Sequence, residues 1–184
     1  KRHRQTGLGV VTGDASNGLV AVDIDGPLAE EAFKKILGES WPATLTPGTM
    51  SWRGRPGRRQ LLYQIPPGIR PLLSKFTKEQ MVPELKGTDD EVCIRYNGCY
   101  SVIPGSMHPD TGKPYEWIDR HNGEPALAPG WLVNFMMESG KAQEVHSFLP
   151  STYLEKQEAS TDYTYRQMRR HFFMEGGLLE QLLD

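Results

Sequence analysis

Two aspartates, Asp23 and Asp25, end an apolar run, Gly18-Leu-Val-Ala-Val-Asp-Ile-Asp-Gly26. In a strand, residues two apart share a face. The two carboxylates therefore project side by side, while Val22 and Ile24 point the other way, into a core. Adjacent carboxylates repel unless a cation lies between them. Hard oxygen donors of this kind suit Mg²⁺ or Mn²⁺, which bind through one or two carboxylates together with substrate phosphates. The chemistry that follows is phosphoryl or nucleotidyl transfer. The plainer reading is two solvated acids leading into a turn.

A second chemistry-bearing stretch is Ser51-Trp-Arg-Gly-Arg-Pro-Gly-Arg-Arg-Gln60, in which Arg53, Arg55, Arg58 and Arg59 fall within seven residues. Small residues allow close backbone approach, and arginines fork onto phosphate oxygens. Such a segment grips a triphosphate or a nucleic-acid backbone, or is a solvated basic turn. Trp52 stacks on a base or covers a core edge. A third stretch, Val92–His108, places Arg95 inside an apolar strand, where a charge needs a partner. That partner is one of the aspartates or a substrate phosphate. Ser106 and His108 follow in a turn, where a histidine donates to phosphate, shuttles a proton or is merely exposed. Cys93, Cys99 and His108 match no common zinc spacing, and no G-x-S-x-G, Walker or Rossmann loop occurs.

The elements that must position these residues are short. Leu8–Thr12 and Leu19–Asp25 read as strands separated by the turn-rich Gly13–Gly18. Gly26-Pro27 opens a helix whose apolar stripe is Leu28, Ala32, Phe33 and Ile36. Thr44–Ser51 reads as extended, broken at Pro47-Gly48. An arginine loop over Arg53–Arg59 leads into a strand over Leu61–Ile65. Leu72–Met81 is ambiguous, with a helix as one reading. Asn97-Gly98 is a hairpin signal joining strands Val92–Tyr96 and Tyr100–Pro104. Tyr115–Ile118 reads as a further strand, and Gly130–Glu138 as a helix after Pro129. The fold class is α+β, with a mixed or antiparallel sheet, flanking helices and a small helical C-terminal segment. The expected organisation is one domain over 1–138, a linker over 139–160 and a helical segment over 161–184.

The chain has 184 residues, 38% hydrophobic, with net charge −2. That size allows one sizeable domain and an appendage, and the charge argues against a generic nucleic-acid coat. Neither a signal-like segment nor an apolar run of membrane-spanning length is visible. Two cysteines give no disulfide framework, so an intracellular, cytoplasmic setting is expected. A strand beginning almost at once suggests a fragment lacking N-terminal sequence.

The order of segments is more specific than any one of them. Gly7-Leu-Gly-Val-Val-Thr-Gly13, the Asp23/Asp25 strand, the Gly/Arg segment running into Leu-Leu-Tyr-Gln-Ile-Pro66, then Ile94-Arg-Tyr-Asn-Gly-Cys-Tyr-Ser-Val-Ile-Pro-Gly-Ser-Met-His-Pro109 and Tyr115-Glu-Trp117 resemble the primase-polymerase domain of the archaeo-eukaryotic primase superfamily. The resemblance spans roughly residues 7–135. It implies an RRM-like catalytic core and a two-metal nucleotidyl transferase, with Asp23 and Asp25 holding Mg²⁺ or Mn²⁺. It also implies that the Gly/Arg segment binds the nucleotide's phosphates, and that Arg95 and the Ser106–His108 turn line the same cleft. Two positions depart from the family pattern. Gln60 stands where a nucleotide-binding histidine is usual, and Cys93 where a third acid is usual. Glu91, Glu116 and Asp119 are candidates to complete the metal set.

The implied activity is template-directed DNA priming or polymerisation in the replication of a mobile element or phage. DNA, nucleoside triphosphates and a helicase module are the expected partners, and the expected location is nucleoid-associated. The alternative is a degenerate module that binds single-stranded DNA or nucleotide and recruits a helicase or polymerase. A third reading is an unrelated metal-dependent nuclease or phosphatase.

Overall fold

The computed structural model describes residues 7–40 and 48–139. The expected linker beyond Ser139 and the helical segment from Thr161 lie outside the described residues. The strands are β1 (Gly9–Val11), β2 (Leu19–Asp25), β3 (Met50–Arg53), β4 (Arg58–Gln64), β5 (Lys78–Gln80), β6 (Glu91–Arg95), β7 (Tyr100–Val102), β8 (Glu116–Asp119) and β9 (Ala126–Leu127). The α-helices are α1 (Pro27–Ser40) and α2 (Gly130–Glu138).

β2 is central because its alternate residues suit both faces. The main sheet runs β5-β6-β2-β4-β3-β8, each pair antiparallel, and β9 adds in parallel to β4. Val20, Val22 and Ile24 of β2 join Tyr63, Val92 and Ile94 against Ala29, Phe33, Trp131 and Leu132 of the two helices. This helix-covered face is the larger core, and Phe33 meets Trp131 edge-on at 5.5 Å. The opposite face carries a smaller cluster of Ala21, Trp52 and Leu62. It is partly covered by Val10 of β1 and by Ile103, the residue after β7, from the two-stranded β1–β7 ribbon.

The chain reverses sharply after Asp25. Gly26 has φ of +109°, and a β-carbon there would lie 2.1 Å from Asp90 Oδ1. Only glycine fits this turn. Asp90 in exchange accepts the Leu28 amide at 2.7 Å, capping α1 from 62 residues away.

Three readings of local sequence are corrected. The arginine segment is not one loop: Arg53 ends β3, Arg58–Gln60 begin β4, and only 54–57 make the turn. Leu72–Met81 is not an α-helix. Pro67–Leu73 forms a 3₁₀ turn, buried Phe76 anchors the following bend, and Lys78–Gln80 pairs with β6 as an edge strand. Asn97-Gly98 does not close a hairpin either. Of the two, only Gly98 has positive φ, whereas the two-residue I′ turn needs both. β6 pairs with β2 and β5, and β7 pairs with β1. Asn97 is a staple instead: its Oδ1 accepts the Asp14 amide at 2.8 Å and its Nδ2 donates to the Ser74 carbonyl at 2.9 Å. The strand expected over Tyr115–Ile118 is β8, and the helix after Pro129 is α2. Among the described residues no helix is long and apolar enough to cross a membrane.

Candidate nucleotide and metal site

The open face of the sheet carries its polar residues in register. One row crosses five strand pairs as Gln80, Cys93, Asp23, Gln60, Trp52 and Trp117. A second brings Glu91, Asp25 and Arg58 together across β6, β2 and β4. A third row, on the other side of the Asp23 row from Asp25, holds Lys78, Arg95 and Ala21. Asp23 and Asp25 thus share the open face while Val22 and Ile24 are buried beneath it. A cleft of about 470 Å³ opens here. Its floor includes Asp23, Asp25 and Gln60, and its walls include Arg53, Arg55, Arg58, Lys78, Arg95, His108, Tyr100 and Tyr115.

Both carboxylates meet cations. Arg95 donates to Asp23, and Arg58 pairs with Asp25. Arg95 also lies 3.6 Å from Glu91, which Lys78 approaches at 3.5 Å. Asp23 is only 6% exposed. Burial, which disfavours the charged form, lifts its pKa above the ordinary 3.8, opposed by Arg95 and by a hydrogen bond from Gln60 and reinforced by the neighbouring Asp25 and Glu91.

The two positions that depart from the family pattern sit directly on either side of Asp23. Cys93 is fully buried, and its thiol is pushed up to about 11, chiefly by burial. It is therefore neutral at physiological pH and donates to the Glu79 carbonyl at 3.3 Å. Gln60 leaves its Oε1 buried with no hydrogen-bond partner among the described residues. Gln60 stands opposite Asp23, and with the Cys93 thiol protonated the metal-capable donors beside Asp23 are oxygens. Two adjacent carboxylates of this kind would suit a hard divalent ion. No group of three or more His, Cys, Asp or Glu side chains positioned for a metal occurs among the described residues, neither a third-acid set nor the zinc set of Cys93, Cys99 and His108.

The sequence-nominated residues divide. Asp23, Asp25, Arg53, Arg55, Arg58, Arg59, Gln60, Arg95 and His108 all line the cleft. Arg59 does so with its guanidinium committed to Glu30 of α1 at 3.1 Å. Ser51 is buried, in register with Leu61 on the helix side of the sheet. Ser106 is buried as well: its hydroxyl accepts the Leu8 amide at 2.6 Å and donates to the Leu8 carbonyl at 3.0 Å, fastening the chain before β1. Neither serine lines the cleft, although the sequence reading assigns both the Ser51–Gln60 segment and the Ser106–His108 turn to nucleotide or nucleic-acid binding. Glu116 faces away, paired with Arg53 at 3.4 Å, and Asp119 sits on the exposed end of β8. Trp52 is core: fully buried, it meets Trp117 edge-on at 5.7 Å and donates to the Val102 carbonyl at 2.7 Å.

His108 is placed by packing. Its ring stacks on Tyr115 at 5.5 Å, and a β-carbon on Gly54 would come within 2.6 Å of His108 Cδ2 and 2.7 Å of Tyr115 Cε1. The Asp110 amide donates to His108 Nδ1 at 3.3 Å, which assigns the neutral ring's proton to Nε2. Burial, with Asp23, Asp25 and Asp110 nearby, raises the Tyr115 pKa, so its hydroxyl stays protonated.

Among the lining residues that sequence reasoning missed are Lys78, Tyr100 and Tyr115. Tyr100 is 66% exposed at the mouth. Its position after Gly98-Cys99 carried a signal, since an exposed aromatic on a short strand is a candidate stacking surface. Lys78 had none, because its place depends on β5 joining the edge of the sheet.

Comparison with known proteins adds a family. A family model described as Prim-Pol, "Bifunctional DNA primase/polymerase, N-terminal", matches residues 1–131. Comparison with curated proteins found no match.

Proposed function

The chain belongs to the family of bifunctional DNA primase/polymerase N-terminal domains, and from that premise we propose that it catalyses metal-dependent, template-directed nucleotidyl transfer in the cleft above Asp23 and Asp25. A domain of this family is a DNA primase/polymerase module that handles DNA and nucleotides, and its enzymes are generally metal-dependent. The observation that carries the reading is the pairing, on one sheet face, of two adjacent carboxylates with the arginines of the neighbouring strands, Arg58 and Arg95.

Asp23 and Asp25 would hold the ion, Mg²⁺ or Mn²⁺. When bound, it supplies charge neutralisation at the reacting phosphate and a more acidic attacking hydroxyl. The 3′ hydroxyl gives its proton to solvent and its oxygen forms a bond to the α-phosphorus, while the bond from that phosphorus to the bridging oxygen breaks and pyrophosphate leaves. The protein positions both reactants. Arg58 and Arg95, which neutralise the carboxylates, are within reach of phosphate oxygens in the same cleft and can exchange one anion for another. His108 presents its Nε2–H to the leaving phosphates. Gln60 Oε1, a buried acceptor without a partner among the described residues, would accept from a water or a nucleotide hydroxyl, and Tyr100 offers a ring for a base to stack on.

Incorporation of labelled nucleotides on a primed template tests the reading. We expect Mn²⁺- or Mg²⁺-dependent extension, abolished in Asp23→Ala/Asp25→Ala. Normal extension by that variant overturns the assignment. Replication of a plasmid, phage or integrated element, at the nucleoid and beside a helicase module, is the setting we infer for it.

Cys93 favours a second reading. A neutral thiol stands where a third carboxylate would complete the set, as expected of a domain that binds DNA or nucleotide without catalysis. Calorimetry separates the two: binding of single-stranded DNA with no uptake of Mn²⁺ and nucleotide selects the binding module.

A further inference from the structure

Beside the Gly54 turn lies a second hollow of about 180 Å³, lined by neither aspartate. Arg53, Gly54 and Arg55 wall both spaces, and Thr111, Lys113 and Glu116 complete the second. The charge is one-sided, with Arg53, Arg55 and Lys113 against Glu116. Arg53 and Glu116 are opposite each other on β3 and β8 and pair at 3.4 Å. Arg55 and Lys113 make no ion pair among the described residues, and Arg55 Nε is buried without a hydrogen-bond partner. Asp110, on the same turn as Thr111, does not line the hollow and makes no ion pair among the described residues. The Thr111 hydroxyl accepts the Lys113 amide at 3.3 Å and keeps its own proton to donate.

We propose that this hollow is a phosphate subsite for the backbone of the single-stranded nucleic acid that enters the cleft, with Arg55, Lys113 and Thr111 as its contacts and Glu116 holding Arg53 in reserve. The inference rests on the cleft being a nucleic-acid site. A triphosphate reacting at Asp23 and Asp25 must sit above them, and neither aspartate reaches the hollow. An anion in the hollow that also touches Arg53 and Arg55 extends beyond the nucleotide, which a polymer does and a mononucleotide does not. Arg55, shared by both spaces, then joins the reacting phosphates to the strand.

Salt titrations of a fluorescent single-stranded oligonucleotide, beside calorimetry of a nucleoside triphosphate, test this. Lys113→Ala is expected to weaken oligonucleotide binding about fivefold at moderate salt and to reduce the slope of log K against log salt by about one, with nucleotide affinity within about twofold of the parent protein. Glu116→Gln is expected to strengthen oligonucleotide binding about twofold or more by releasing Arg53. Unchanged oligonucleotide affinity in Lys113→Ala overturns the inference, and so does an equal loss for nucleotide. Absence of oligonucleotide binding by the parent protein overturns instead the reading of the cleft on which it rests.

Discussion

Arg95 on β6 donates to the Asp23 carboxylate on β2, diagonally across a strand pair that sets Asp23 opposite Cys93 and Arg95 opposite Ala21. The pair is asymmetric: the Asp23 side chain is 9% exposed and that of Arg95 23%. Losing the arginine therefore strands the more deeply buried charge. Arg95→Ala is expected to cost about 3 kcal/mol of stability. It should also move the acid limb of nucleotide incorporation to higher pH, because the main influence holding the Asp23 pKa down is gone. Arg95→Lys should recover part of both. A pH–rate profile identical to that of the parent protein counts against Arg95 acting on Asp23.

The same burial fixes a pH dependence. With the folded-state pKa of Asp23 raised above 3.8, the folded protein holds more protons than the unfolded chain between those values. Asp23 therefore contributes less stability as pH rises through that window. Above it the buried carboxylate is a standing cost, which Asp23→Asn removes. The variant should melt no lower than the parent protein at neutral pH, with the gap shrinking towards pH 4, yet show no incorporation. A parent protein whose advantage over Asp23→Asn grows with pH contradicts the direction.

Cys93 offers a gain-of-function test. It faces Asp23 in register and is fully buried, so Cys93→Asp adds a carboxylate next to two others. Without metal the like charges repel, and the melting temperature should fall. With Mn²⁺ the new ligand should reverse this, since ion at a hundredfold excess over Kd adds about 2.7 kcal/mol. Thermal shift with and without Mn²⁺ reads the difference. Equal responses in variant and parent mean that the Cys93 position does not reach the ion.

Gly54 is the spacer between the β3–β4 turn and the His108–Tyr115 stack. Gly54→Ala drives a methyl group into both rings and should cost about 1 kcal/mol of stability. Because it displaces His108 from the cleft wall, kcat/KM should fall about tenfold. A fall in melting temperature with unchanged kinetics places His108 outside the reaction.

Much of the site was legible because its signals are local. The spacing of Asp23 and Asp25 fixes a shared face by strand geometry alone, and β2 has the predicted bounds, Leu19–Asp25. The helix after Gly26-Pro27, the helix after Pro129 and the family order of motifs rest likewise on short-range pattern. Ser51 and Ser106 misled because a hydroxyl's type does not reveal its direction. One lies on the helix side of the sheet, and the other is consumed by the backbone of Leu8, 98 residues away. Asn97-Gly98 misled because Asn97 keeps an ordinary negative φ while its side chain ties down Asp14 and Ser74.

The sequence by itself determined that two carboxylates would stand side by side at a strand end, with arginines close in the chain and a chemistry that needs a cation. Only the tertiary structure decided who meets them: Arg95 on Asp23, Arg58 on Asp25, Gln60 and Cys93 flanking Asp23, and Glu116 paired with Arg53. Strand periodicity is a property of neighbouring residues and is written in the chain. Register and burial depend on which strands pair, and that is settled by packing the whole sheet against its helices.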